Sequence, residues 1–158
     1  MKLHLVALVL GLAGPVQATP AQTSEWPEGS ANALGEKWAH DREAAAATLK
    51  RRDRELLSLV TRARPAPNES RTPEAVEALQ RAWPIYVRAE CELIGSLSPD
   101  FSPYQSAKAV QCEANLTDQR ARRVAASIRC IKRIPSDQPP DALEACLAQL
   151  APMATRPN

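Results

Sequence analysis

Cys91, Cys112, Cys130 and Cys146 are the residues of this 158-residue chain best suited to chemistry, and that chemistry is oxidation. An even number of cysteines at wide spacings suits disulfides in an exported protein. The close C-x-x-C pairs of a zinc site are missing, and neither His4 nor His40 stands near a cysteine, so no metal is expected. Catalysis lacks its parts as well. His4 lies in the apolar N-terminal stretch, and His40 falls on the charged side of a helical pattern, which leaves no serine–histidine or cysteine–histidine pair. No two carboxylates sit where a cleft for glycoside hydrolysis is evident. Beyond residue 18 only Gly29, Gly35 and Gly95 remain, too few and too scattered for a phosphate loop. The expectation is a protein that is not an enzyme and holds no cofactor.

The N-terminus supports the redox argument. Met1-Lys2 supplies a short positive start, Leu3 to Leu12 is almost wholly apolar, and Val16-Gln17-Ala18 offers small residues before a cleavage point. The apolar run is too short for a bilayer, which needs roughly 20 residues. The organisation expected is a signal peptide over 1–18, a flexible leader over 19–30, one helical domain over 31–152 and a disordered tail over 153–158. Cleavage near Ala18 would deliver the chain to the periplasm or the medium, where thiols oxidise. Removing residues 1–18 takes away Lys2 and no acid, so the formal charge of +2 falls to about +1. That is too near neutral for a nucleic-acid binder relying on overall positive charge, and membrane contact is at most peripheral.

The cysteines must be positioned by helices. Aromatic residues make up 4% of the chain, so the core has to come from Leu, Val, Ile and Ala around a few tryptophans. Leu34, Trp38, Ala45, Leu49, Leu56, Val60 and Ala63 recur at threes and fours and predict a first helix over 32–64, with Ser30 as N-cap. Lys50, Arg51, Arg52, Asp53, Arg54 and Glu55 read as its solvated face, and a break near 50–54 would relieve its unusual length. Thr72-Pro73-Glu74 opens a second helix by the usual cap, proline and acid. Val76, Leu79, Trp83, Tyr86, Val87 and Ile94 form its buried stripe, Pro84 should kink it, and Gly95 should stop it. Ser102 and Gln105 have capping-box spacing and start a third helix reaching about Arg133, which buries Ala109, Cys112, Leu116, Val124, Ile128 and Ile131. Leu143, Cys146, Leu147 and Leu150 face inward from a short fourth helix. The fold class expected is all-α, a small bundle of three main helices and a short C-terminal one.

Helix geometry restricts the pairing. Cys112 and Cys130 lie on one predicted helix, roughly 27 Å apart at 1.5 Å per residue, whereas a disulfide needs Cα atoms within about 7 Å. Two pairings remain. Cys91–Cys112 with Cys130–Cys146 closes neighbouring helices across their own connections, and is preferred. The crossed alternative, Cys91–Cys130 with Cys112–Cys146, would bring together opposite ends of elements.

Gln80, Trp83, Tyr86, Glu90 and Cys91, followed by Cys112, Leu116, Thr117 and Arg120, carry a family pattern. A glutamine stands three before a tryptophan, a tyrosine three after it and a cysteine eight after it; then a cysteine is followed by a threonine five later and an arginine three beyond. This block resembles the LprI-type lysozyme-inhibitor domain over about 40 residues. Val87 stands where the family usually carries arginine, Pro84 lies inside the block, and Cys130 and Cys146 look additional. Read from their own chemistry, Trp83 and Tyr86 are core residues, the indole N–H finding a backbone acceptor. Arg120 is expected to reach the carboxylate of Glu90 or Glu113, since a buried guanidinium needs such a partner.

The resemblance implies an exported helical protein that inhibits a lysozyme-type peptidoglycan hydrolase by occluding its cleft. Glu90, Glu92 and Asp100 would offer carboxylates to a cationic enzyme, with Phe101 and Tyr104 as apolar anchors. Between Pro103 and Arg133 seven Lys or Arg stand against Glu113 and Asp118, a balance that opposes a basic partner there. The alternative reading is an envelope scaffold, accessory subunit or immunity protein for another protein partner, using the basic third helix with Arg122, Arg123 and Arg129.

Overall fold

The computed structural model describes residues 26–63, 71–99, 102–135 and 141–150. Residues 1–25, where a signal peptide and most of a leader are expected, residues 64–70, Asp100, Phe101, residues 136–140 and residues 151–158, where a tail is expected, lie outside the described residues. Among those described, every element is helical: α1 Ala31–Arg62, α2 Thr72–Ser96, α3 Ser102–Ile131 and α4 Asp141–Leu147, which runs into a 3-10 turn at Ala148–Leu150.

Ser30 caps α1 as its type predicts, its hydroxyl accepting from the Ala33 N–H at 3.2 Å. At 32 residues the helix is about 48 Å long, and it passes through 50–54 without the break. What sustains that length is α3, 30 residues long and packed along it as the most extensive contact between elements. Leu49, Leu56 and Val60 of α1 are buried against Val124, Ile128 and Ile131 of α3, with Val76 of α2 and Leu150 closing the same cluster. Removing that apolar surface from water is the main stabilising effect, about 1.5–3 kcal/mol for each large aliphatic side chain. Ala107, Ala114 and Ala121 are also buried on α3, where small side chains let the neighbouring backbones come close. Ala109, Cys112 and Leu116, expected to be buried, are half-buried.

Helix α2 departs from expectation in two ways. It starts one residue early, at Thr72, so Arg71 occupies the cap position and Pro73 lies in the first turn. It ends at Ser96, one residue beyond Gly95, and Pro84 lies within it. Gly95 is also a contact residue: a Cβ there would come within 2.9 Å of the Gln105 carbonyl oxygen and 3.0 Å of the Ala109 Cβ. Glycine therefore sets how closely α2 lies on α3, beside the Cys91–Cys112 bond. The second departure concerns its stripe. Val76, Val87 and Cys91 are buried, but Tyr86 is 51% and Ile94 45% exposed. At about 100° per residue Tyr86 sits on the margin of the arc centred on Trp83 and Val87, whereas Ile94 is in line with that arc but lies near the end of the helix, which closes at Ser96.

The preferred disulfides are the ones present, Cys91–Cys112 and Cys130–Cys146, with Cα separations of 5.4 and 5.5 Å. The first fixes the end of α2 to α3, and the second holds α4 against the end of α3. Gln105 serves the α2–α3 turn by donating its Nε2 to the Ser98 carbonyl at 3.1 Å.

Candidate functional site

The residues of the family pattern converge on one place, the junction of α1, α2 and α3. Thr117 and Arg120 share the inner face of α3 and are 8% and 4% exposed. The Arg120 guanidinium lies over the Trp83 ring, 5.3 Å from its centroid, and donates to the Leu150 carbonyl oxygen at 2.5 Å. One side chain thereby ties α3 to α2 and to the C-terminal turn. Gln80 reaches the other way, donating Nε2 to the Asp53 carbonyl of α1 at 3.0 Å.

Arg120 does not reach Glu90 or Glu113. Glu113 is taken by Arg42 of α1 at 3.0 Å, and the carboxylate that senses Arg120 is Asp53. Burial pushes Asp53 up to about 6, while the positive charge of Arg120 pulls it back. Burial also lowers Arg120, an effect opposed by Asp53 and reinforced by Arg123. Asp53 had read as part of the solvated face because it sits in a run of charges. Its register says otherwise, since it lies four after Leu49 and three before Leu56, in line with the buried stripe.

Two polar atoms at this junction are buried without a hydrogen-bond partner among the described residues, Asp53 Oδ1 and Trp83 Nε1. The backbone acceptor expected for the Trp83 indole is therefore not there. Trp83 is nonetheless packed against the core, half-buried, and its ring meets that of Tyr86 at 5.7 Å and 43°. Tyr86 is not a core residue. It is mostly exposed, and its hydroxyl hydrogen-bonds Glu90, which raises the phenol above its ordinary value.

The other candidates are spread along the end of α2 and the following turn. Glu90 is half-buried with Oε2 unpartnered, Glu92 is exposed, and Tyr104 is half-buried near the start of α3. Asp100 and Phe101 lie outside the described residues. Sequence reasoning missed the neighbours that give this region its character. Ile85 is 74%, Leu93 59% and Leu97 70% exposed, and with Tyr86 they occupy one face of α2 and its C-cap. At 3.6 residues per turn these four, with the exposed Ala82 and Ala89, fall within about 120° of the helix circumference. Amphipathic reading assigns apolar positions to the core, so a second apolar arc on the same helix was indistinguishable from the first.

On the basic third helix, Arg122 pairs with Asp118 on the surface, Arg123 is half-buried and Arg129 is exposed. Further along, Lys132 bonds Glu55 of α1 at 2.6 Å. Among the described residues no group of three or more His, Cys, Asp or Glu could hold a metal ion, and no helix is long and apolar enough to cross a membrane.

These features define a disulfide-stapled helical domain whose inner polar residues tie helices together and whose apolar excess faces outward on α2. A family model described as lysozyme inhibitor LprI matches residues 31–124, and the chain belongs to that family. The match takes in α1, well beyond the block over 80–120 that carried the resemblance in the sequence. No curated protein and no solved structure matches the chain.

Proposed function

We infer that this chain is an exported inhibitor of a lysozyme-type peptidoglycan hydrolase, and that it meets the enzyme with the outward face of α2 and the turn that follows. The observation that carries this reading is the row Ile85, Tyr86, Leu93 and Leu97, standing in water on a helix clamped by Cys91–Cys112. Apolar side chains gathered on one face are characteristic of partner-binding surfaces. Family membership gives the partner its chemistry.

The charge on α2 suits a cationic enzyme better than that on α3. Four acids (Glu74, Glu77, Glu90 and Glu92) oppose Arg81 and Arg88 along α2. Glu92 is the carboxylate presented most freely, because Glu90 is half-buried and engaged by Tyr86. Occlusion would place the end of α2, with Tyr104 at the start of α3, against the hydrolase's substrate cleft. Complementary charge would speed the encounter, and burial of the apolar row would hold the complex. Export to the periplasm, with cleavage near Ala18, accords with four cysteines all paired.

The test is a cell-wall lysis assay with the mature, oxidised protein against several lysozymes. Micromolar excess should slow lysis, and Leu93→Asp/Leu97→Asp should weaken inhibition at least about tenfold with an unchanged melting temperature. No inhibition by the wild-type protein would end the reading. Full inhibition by the double variant would keep the function and move the interface elsewhere. A pull-down that returns a membrane complex in place of a hydrolase would favour an envelope scaffold or accessory role.

A further inference from the structure

Helices α1 and α2 both pack on α3 but touch one another sparsely, so a cleft of about 620 Å³ opens between them. It lies on the flank of α2 away from the exposed apolar row, and its size is in the range of about 300–1,000 Å³ that holds small ligands. Leu49, Leu57, Trp83 and Val87 supply an apolar floor. The edge is cationic. Lys50 and Arg54 of α1 and Arg88 of α2 are exposed there, and none makes an ion pair or side-chain hydrogen bond among the described residues.

The acids lining the same cleft do not cancel those charges. Glu113 is bound by Arg42 at 3.0 Å. Asp53 is half-buried and feels the field of Arg120 from within. Glu43 alone is exposed without a partner, against three free cations. We propose that this cleft binds a small amphipathic anion, an aliphatic or aromatic body carrying one carboxylate or phosphate, with the body on the Trp83 floor and the anionic group among Lys50, Arg54 and Arg88. A neutral apolar molecule would gain only by covering the floor. An anion gains in addition from unpaired cations set beside a surface of low polarity, where their field is weakly screened.

Sodium dodecanoate below its micelle concentration is a suitable probe, followed by calorimetry and tryptophan fluorescence on the mature oxidised protein. Saturable one-to-one binding is expected. It should be at least about tenfold weaker in Lys50→Glu/Arg88→Glu, and weaker again for monolaurin, the neutral glyceride with the same acyl chain. Melting curves confirm that the variant folds, and Arg54→Gln/Arg88→Gln serves as a milder pair. Absence of saturable binding by dodecanoate overturns the proposal. So does equal affinity for monolaurin, or undiminished binding in a folded charge variant.

Discussion

Arg120 lies over the indole of Trp83, 5.3 Å from the ring centroid, while its Nη1 donates to the Leu150 carbonyl. The arrangement explains why a guanidinium is tolerated at 4% exposure without a salt bridge among the described residues. The ring face offers negative potential, the carbonyl offers a lone pair, and Asp53 contributes from a distance. Removing the side chain would strand the Leu150 carbonyl and loosen three elements at once.

Arg120→Met should therefore lower stability by about 2–4 kcal/mol, the sum expected for a desolvated cation–π contact and a charged hydrogen bond. Arg120→Lys should lose most of the same amount, because an ammonium lacks the planar fork that serves both contacts. Urea denaturation with intrinsic fluorescence measures both. A loss below 0.5 kcal/mol, as for an ordinary surface substitution, would contradict this account.

The buried carboxyl of Asp53 makes stability depend on pH in a definite direction. Its folded pKa, about 6, lies above the ordinary 3.8, so the folded protein holds a proton that the unfolded chain has already released. Stability therefore falls as pH rises between those values, and the cost is fully present above 6. Partial solvent exposure reduces the effect to about 1 kcal/mol. Asp53→Asn should remove this part of the pH dependence and stabilise the protein at pH 7.5 relative to pH 4. Parallel pH profiles for the two proteins would count against it.

Gly95→Ala should be destabilising by about 1–3 kcal/mol, the usual range for overpacking. The added methyl would meet the Gln105 carbonyl at 2.9 Å, and backbone within a helix cannot step aside as a flexible side chain can. Gly35→Ala is the control: nothing lies within 4 Å of its added Cβ and its helix propensity improves, so it should be neutral or slightly stabilising. Thermal melts should show a lowered midpoint for Gly95→Ala and an unchanged or raised one for Gly35→Ala.

Each disulfide closes a short loop, with sequence separations of 21 and 16. Chain-entropy reasoning assigns roughly 3 kcal/mol to loops of this size. Cys91→Ser/Cys112→Ser and Cys130→Ser/Cys146→Ser should each lower the urea midpoint by a comparable amount. Their functional consequences should differ, since only the first pair holds the proposed partner face of α2. Equal loss of lysozyme inhibition in both folded variants would argue against that face.

The amino-acid sequence by itself determined the helices and their approximate ends, and it excluded one of the three pairings of the cysteines; the structure decided between the other two. Helix caps and apolar spacing are local, and a helix that carries both Cys112 and Cys130 holds them too far apart to join. It also carried the family block, because spacing between motif residues survives without knowledge of what they touch. Tertiary structure alone decided which partner each side chain found. Glu113 lies on the same helix as Arg120 but was taken by Arg42 from α1, and Asp53 was drawn inward beside it although a run of charges surrounds it. Periodicity reports that a residue has an apolar side; it cannot report which of two apolar arcs a neighbouring helix will cover. On α2 that choice went to Val76, Val87 and Cys91, and it left Ile85, Leu93 and Leu97 in water.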